Sequence, residues 1–311
     1  MQGLKIMFMG TPDIAAVCLK KLIELGENIV CAVTQPDKPR GRGYKLTPTE
    51  VKVEAMSHKI PVFQPESLKN GELLEILEEF KPDLIAVVAY GKILPAYVLD
   101  YPKFGCINMH ASLLPKYRGA APIQWSVING DDVTGVTTMK MDVGLDTGDM
   151  LLRAETKIGE YETSEQLFDR IALLGADVLC KTVKDIENIK PIPQNHSEHT
   201  YAPMISKEMG KIDWNKDMRT ISKLICGMNS WPLAYTEYNG EIVKVIEAYK
   251  SEEKNSAMPG EVIRHEKGKG LLVACSNGAL WLKKIQFPGG KKMDIDDYLL
   301  GHKIENGTFF E

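Results

Sequence analysis

Asn108 and His110 stand two residues apart at the end of the apolar run "FGCIN", and the segment "DVGLDTGD" over residues 142–149 offers a carboxylate, Asp146, between Gly144 and Gly148. On a β-strand, residues two apart share one face and lie about 7 Å from each other, so a single oxygen atom could meet the Asn108 amide and the His110 imidazole together. An amide donor, an imidazole and a carboxylate form a set suited to moving an acyl group. The donors oppose the negative charge that builds on a carbonyl under attack, and the acid favours imidazolium and relays the proton shed by the nucleophile. Glycines beside Asp146 permit the tight backbone path that points it back at a histidine. Taken singly, the Asn–His pair equally suits a structural hydrogen-bonding pair, and Asp146 an ordinary turn cap. Their combination is what points to chemistry.

Competing sets are weaker. Cys106 shares the face of Asn108 and His110 but lies in an apolar run, where a cysteine behaves as a small core residue. Ser112 has no G-x-S-x-G elbow around it. His196, Glu198 and His199 lack a further ligand cluster in the sequence, so no metal is expected. The six cysteines are widely spaced with no C-x-x-C pair, which speaks against a disulfide framework and for a reducing cytoplasm. The opening "MQGLKIMFMG" reads as a first strand, and no apolar run approaches the roughly 20 residues of a membrane helix, so neither export nor a membrane span is expected.

The elements that must position these residues follow from hydrophobic periodicity. Apolar runs at 4–9, 28–33, 83–89 and 104–109 alternate with amphipathic stretches at 13–25, 49–58 and 70–80, the pattern of βαβ units. That predicts an α/β domain built on an open, doubly wound, Rossmann-like parallel sheet, in which ligands bind beyond the carboxyl ends of the strands. Asn108 and His110 fall at such an end. The turn "MGTPD" lacks the G-x-G-x-x-G dinucleotide spacing and reads as a strand-to-helix turn. Residues 163–187 form a further helix capped by Thr163, and 190–200, "KPIPQNHSEHT", read as a linker. Beyond it, strand-like runs at 233–238, 242–249, 261–265, 270–275 and 279–287 follow a helix near 216–226 and predict a small OB-like β-barrel. The expected domains are 1–189, a linker 190–205, and 206–311.

At 311 residues and 44% hydrophobic content the chain can fill two cores. Its formal charge of −4 is uneven, with 16 Lys or Arg against 15 Asp or Glu in residues 201–311 and 22 against 27 before them. A polyanion would therefore meet local patches. Candidates are Lys38, Arg40, Arg42 and Lys45 in the loop "QPDKPRGRGYKLTP" over 35–48, and the pairs Lys283, Lys284 and Lys291, Lys292. The loop holds too many prolines and glycines for a packed element, and one this long is either functional or disordered. The bland reading of the cation runs is a solvated surface.

The stretch "CINMHASLLPKYRGAAPIQW" followed by "DVGLDTGD" resembles the folate-dependent formyltransferases, whose mark is an Asn, His, Asp trio with an S-L-L-P turn. "KIMFMGTPD", the basic loop and "VVAYGKILP" are similar to the branch acting on methionyl-tRNA. The likeness spans residues 1–200 and is looser beyond, at "KIDWN" and "NSWPLAYT". It implies Asn108, His110 and Asp146 as the catalytic trio, 10-formyltetrahydrofolate as formyl donor and initiator methionyl-tRNA as partner. It assigns the folate site to Ser112, Leu113, Leu114 and Pro115, with Tyr90, Gly91, Ile93, Asp142 and Gly144 around the pterin. It places Lys38, Arg40, Arg42, Lys45, Lys283 and Lys284 against tRNA. Two rivals stand beside it: a formyltransferase acting on a small amine, and a non-catalytic RNA-binding module.

Overall fold

The run "IMFMG" forms the heart of a sheet because water reaches none of it: all five residues Ile6–Gly10 are buried, as a strand covered on both faces requires. In the computed structural model, which describes residues 3–40, 45–69 and 71–311, the first elements are β1 (Ile6–Gly10), α1 (Asp13–Glu24), β2 (Ile29–Val33), β3 (Lys38–Arg40), β4 (Lys45–Thr47) and α2 (Glu50–Ser57). Then come β5 (Val62–Phe63), α3 (Leu74–Phe80), β6 (Leu84–Val88), α4 (Ala96–Leu99), β7 (Cys106–His110), β8 (Arg118–Gly119) and α5 (Pro122–Ile128). After them follow β9 (Val133–Lys140), β10 (Met150–Lys157) and α6 (Ser164–Asp185).

Seven strands form one sheet in the order β10-β9-β7-β6-β1-β2-β5. Strands β5, β2, β1, β6 and β7 run parallel, whereas β9 runs antiparallel to β7. The expected parallel sheet thus carries an antiparallel flank, common on larger doubly wound sheets. At its edge, β10 alternates between covered and open positions, in keeping with its sequence "MLLRAETK". The carboxyl ends of β1, β6 and β7 lie side by side, with Gly10 against Val88 and Val87 against Asn108. A side chain at Gly10 would stand 2.6 Å from Ala15 Cβ and 2.8 Å from the Val88 carbonyl, so the turn out of β1 requires glycine.

The loop 35–48 departs from the sequence expectation: β3 and β4 pair as an antiparallel ribbon, Lys38 opposite Thr47 and Pro39 opposite Leu46. A two-stranded ribbon has an open edge on each strand, which is where a sheet accommodates proline. Its base is fixed by polar contacts. Asp37 accepts from Lys52 Nζ and Gln64 Nε2, each at 2.7 Å, and Gln35 Nε2 donates to the Tyr90 carbonyl at 2.9 Å. The Lys52 hydrogen bond, followed by that of Gln64, holds the Asp37 carboxyl below the usual carboxylate range.

The chain divides into two compact units, one of Met1–Gly119, Gly135–Thr156 and Phe168–Tyr201, the other of Ala120–Thr134, Lys157–Leu167 and Ala202–Glu311. The second unit therefore draws in two segments from within residues 1–189. After β11 (Tyr201–Ala202) and α7 (Met218–Gly227) it contains β12 (Ala234–Tyr238), β13 (Glu241–Lys250), β14 (Val262–Glu266), β15 (Gly270–Cys275), β16 (Gly278–Gln286), β17 (Met293–Asp294) and α8 (Ile295–Tyr298). The barrel expected from the sequence stands here as an antiparallel sheet, ordered β12-β13-β16-β15-β14 with β17 on β16. Asn239 and Gly240, at φ 51° and 77°, make the two-residue turn between β12 and β13 that the "NG" pair signals. Helix α6 begins with a reciprocal cap: Gln166 N donates to Thr163 Oγ1 at 3.2 Å, and Thr163 N donates to Gln166 Oε1 at 3.0 Å.

Candidate active site

Strand β7 delivers Asn108 and His110 to the carboxyl edge of the sheet, where Asn108 pairs in register with Met139 and His110 with Thr137. The His110 ring is buried, and its Nε2 lies 2.8 Å from the Tyr117 carbonyl. A carbonyl only accepts, so Nε2 carries a hydrogen, and Nδ1 is the nitrogen left for chemistry. That nitrogen stands 3.7 Å from Asp146 Oδ2, too far for a hydrogen bond and close enough for charge to act. When the ring is an imidazolium, Nδ1 also carries a hydrogen, which a substrate oxygen or a water accepts. Among the described residues the Asn108 side chain makes no hydrogen bond, so its amide is free to donate to a ligand.

Asp146 sits at φ 53°, in the left-handed region that Asp tolerates better than most residues. Its Oδ2 accepts from Gly119 N at 2.9 Å. Around it the loop is braced from within, since Asp142 Oδ1 accepts from Gly144 N at 3.0 Å and from Thr147 Oγ1 at 2.6 Å. A Cβ on Gly148 would lie 1.8 Å from the Lys140 carbonyl, so only glycine allows the chain to return so close to β9. Of the three residues singled out in the sequence, His110 and Asp146 thus stand within 3.7 Å of each other with both side chains nearly buried, and Asn108 lies two residues before His110 on β7.

The residues assigned to folate divide into scaffold and surface. Ser112 is buried, with its Oγ donating to the Lys116 carbonyl at 2.6 Å and its own carbonyl accepting from Thr137 Oγ1 at 2.7 Å. Leu114 N donates to the same Thr137 hydroxyl at 3.1 Å, and the Leu114–Pro115 peptide is cis. Leu113, between them, is half-buried. Tyr90 points into the core, and burial, then Tyr97 and Glu72, push its hydroxyl up to about 12. What Tyr90 and Gly91 can offer a ligand is backbone. Ile93 at 85% exposure, Val143 at 82% and Leu145 at 55% are apolar groups left open on the loops after β6 and β9, suited to an aromatic partner.

The cysteine on the face of Asn108 is inert. Cys106 is buried with its thiol toward the Val98 carbonyl, and burial, with a contribution from Asp100, pushes it up to about 12.

Sequence reasoning missed Gln194 and Arg118. Both are buried, and Gln194, from the segment read as a linker, donates its amide to the carbonyls of Asp146 at 2.8 Å and Gly148 at 2.7 Å. A lone buried glutamine has no periodicity or motif to betray it; only the neighbouring prolines hint at a fixed path.

Of the basic residues, Lys38 is exposed and its Nζ donates to Gln35 Oε1 at 2.9 Å. Arg42 and the side chains of Arg40 and Lys45 lie outside the described residues. Lys283 donates to the Gly268 carbonyl at 2.9 Å, and Lys284 pairs with Glu247 at 3.2 Å, so both are partly engaged within their own unit. Among the described residues no helix is long and apolar enough to cross a membrane.

A free amide, a half-committed imidazole and a nearly buried carboxylate at the carboxyl edge of a doubly wound sheet are the groups that carbonyl group transfer uses. The Formyl transferase family matches residues 4–183, and its C-terminal domain matches 204–303; the chain belongs to this family. Its full-length relatives include a methionyl-tRNA formyltransferase of Alkaliphilus oremlandii, 52% identical over 307 residues and covering 98% of this chain and 99% of that one. Another, of Caldanaerobacter subterraneus, is 48% identical over 311 residues, covering 99% of this chain and all of the relative. The fold is shared with an N-formyltransferase from Helicobacter canadensis solved with folinic acid and dTDP-3-aminofucose, at TM-score 0.67 and 20% identity, covering 93% of this chain and 100% of that one. It is shared too with HypX from Aquifex aeolicus in complex with tetrahydrofolic acid, at TM-score 0.61 and 17% identity; 99% of this chain is covered, and it spans about half of HypX, 51%.

Proposed function

We propose that this chain transfers the formyl group of 10-formyltetrahydrofolate to the α-amino group of methionine esterified to initiator tRNA, giving N-formylmethionyl-tRNA, with Asn108, His110 and Asp146 carrying the chemistry. The observation that carries this reading is the free Asn108 amide beside a His110 whose Nδ1 faces Asp146 at 3.7 Å while its Nε2 is committed to Tyr117.

The residues divide the work as follows. When the amine attacks the formyl carbon, a C–N bond forms and the carbonyl oxygen becomes an oxyanion. Asn108 Nδ2–H and His110 Nδ1–H donate to that oxygen in a site where water is largely excluded, which makes each hydrogen bond stronger than in water. Asp146 opposes the imidazolium charge and accepts, through a water, the proton lost by the attacking amine. Collapse of the oxyanion breaks the bond to the folate nitrogen, and the same proton passes to that nitrogen. Nothing is oxidised or reduced.

Ser112 to Pro115, with Tyr90, Gly91, Ile93, Asp142 and Gly144, form the folate site, in which the open apolar groups of Ile93 and the 142–147 loop cover the pterin. The cations Lys38, Arg40, Arg42 and Lys45 meet the tRNA phosphates near its acceptor end. The second unit is a tRNA-binding domain in which Lys283 and Lys284 give weaker contacts, each already holding a partner. A cytoplasmic setting agrees with six free, buried cysteines.

Incubation with methionyl initiator tRNA and 10-formyltetrahydrofolate tests the reading. One formyl group should appear on the charged tRNA, with stoichiometric release of tetrahydrofolate. Formylation of free small amines with none on tRNA would overturn the substrate, and no folate turnover at all would overturn the enzyme.

A further inference from the structure

The segment between α6 and β11 reaches both arms of the His110–Asp146 pair. Gln194 Nε2 donates to the carbonyls of Asp146 and Gly148, and so fixes the backbone at the catalytic carboxylate's own residue and just beyond it. Its Oε1 is in turn held by two donors of one guanidinium, Arg118 Nε at 3.1 Å and Nη2 at 2.7 Å. Arg118 is itself buried, and its Nη2 also donates to His196 Nδ1 at 3.1 Å. Thr200 secures the other arm: its Oγ1 accepts from Tyr117 N at 2.8 Å and its carbonyl accepts from Arg118 N at 2.9 Å. The stretch held this way, Tyr117 to Gly119, supplies the carbonyl that fixes His110 and the amide that fixes Asp146.

A buried guanidinium set against a neutral amide is costly unless the geometry it enforces is used. All its side-chain bonds go to Gln194 and His196, and none to a carboxylate among the described residues. Charge pairing is therefore not its purpose. With Oε1 filled by Arg118, the Gln194 amide can have only one orientation, NH2 toward the Asp146 loop.

We infer that Gln194, oriented by Arg118, is a positioning residue that sets the distance between the Asp146 carboxylate and His110. It rests on the proposed role of Asp146 and goes beyond it, because it makes the segment after α6 part of the active site.

The test uses the full chain and steady-state formylation of methionyl initiator tRNA. Gln194→Leu removes both contacts. Gln194→Glu keeps an acceptor for Arg118 but sets a carboxylate against two carbonyls, so it separates the hold on Asp146 from the hold on Arg118. Both should lower kcat by on the order of 10²-fold, as expected for a displaced catalytic group, with KM for tRNA and folate close to the parent's. In an Asp146→Ala background, Gln194→Leu should lower kcat no further, because it acts only through that carboxylate. Parent-like kcat in Gln194→Glu, or single effects that multiply in the double variant, overturns the inference while leaving the trio intact. Parent-like turnover in Asp146→Ala alone overturns the trio and this inference with it. If Gln194→Leu fails to fold, Gln194→Glu and its pairing with Asp146→Ala give the same decision.

Discussion

His110 presents Nδ1 to Asp146 Oδ2 across 3.7 Å while its other nitrogen is tied to a main-chain carbonyl at 2.8 Å. The ring is thereby held in one orientation with a single nitrogen available, and the gap to the carboxylate is wide enough for a shared oxygen. An imidazole bonded on both sides would be a structural group. This one is half committed, which suits a donor that must serve a charge appearing only in the transition state.

The free amide of Asn108 should matter chiefly in that transition state. Asn108→Ala is expected to lower kcat by about 10²- to 10³-fold, equivalent to roughly 2.7 to 4 kcal/mol, with folate affinity near the parent's by fluorescence titration. Turnover close to the parent's would remove Asn108 from the oxyanion site.

Gly148 tests whether the loop path, rather than the acid alone, sets activity. Its added Cβ would collide with the Lys140 carbonyl at 1.8 Å, so in Gly148→Ala the loop must shift and carry Asp146 with it. The formylation rate should drop sharply while the thermal midpoint of the folded chain moves little, since the loop is largely exposed at 142–145. An active Gly148→Ala would mean that the loop relaxes without moving the carboxylate.

The cations proposed to meet tRNA should separate in a salt series. Arg42→Ala is expected to weaken tRNA binding, leave folate binding unchanged, and reduce the slope of log Kd against log salt by about 1, the signature of one lost phosphate contact. Lys284→Ala should reduce it by less, because Glu247 already lies 3.2 Å from that ammonium and holds its pKa up. Filter binding across a salt series would show the ordering, and equal slopes for Arg42→Ala and the parent would leave Arg42 without a phosphate contact.

Alkaline stability follows from the buried thiols. Burial pushes Cys31 and Cys106 up to about 12 and Cys180 and Cys226 up to about 11. A group whose folded pKa is raised stabilises fully below its unfolded value, about 8.5 for a thiol, and loses that contribution as pH climbs through the folded value. Urea midpoints should therefore be flat near neutrality and fall above about pH 8.5, and a thiol reagent near neutral pH should label the chain only after unfolding. Rapid labelling of the folded protein would contradict the buried placement.

Much of the architecture was legible because it is written in local pattern. Continuous apolar runs place β1, β6 and β7, and the Thr163 to Gln166 cap starts α6 where the sequence shows it. The basic ribbon was not legible, because prolines and glycines that forbid a central strand are compatible with a paired edge, and pattern alone does not tell the two apart. The same holds for β9, whose antiparallel direction leaves no mark on its composition.

The sequence by itself determined the chemistry on offer: an amide and an imidazole two apart on a strand, and an acid among glycines, since residue type and the period-two alternation of a strand are local properties. Tertiary structure alone decided which imidazole nitrogen is free, how far the acid stands from it, and that Gln194 and Arg118 hold that distance. Those are relations between groups 7 to 76 positions apart in the chain, and they exist only once the backbone carbonyls and amides that they use have been brought together.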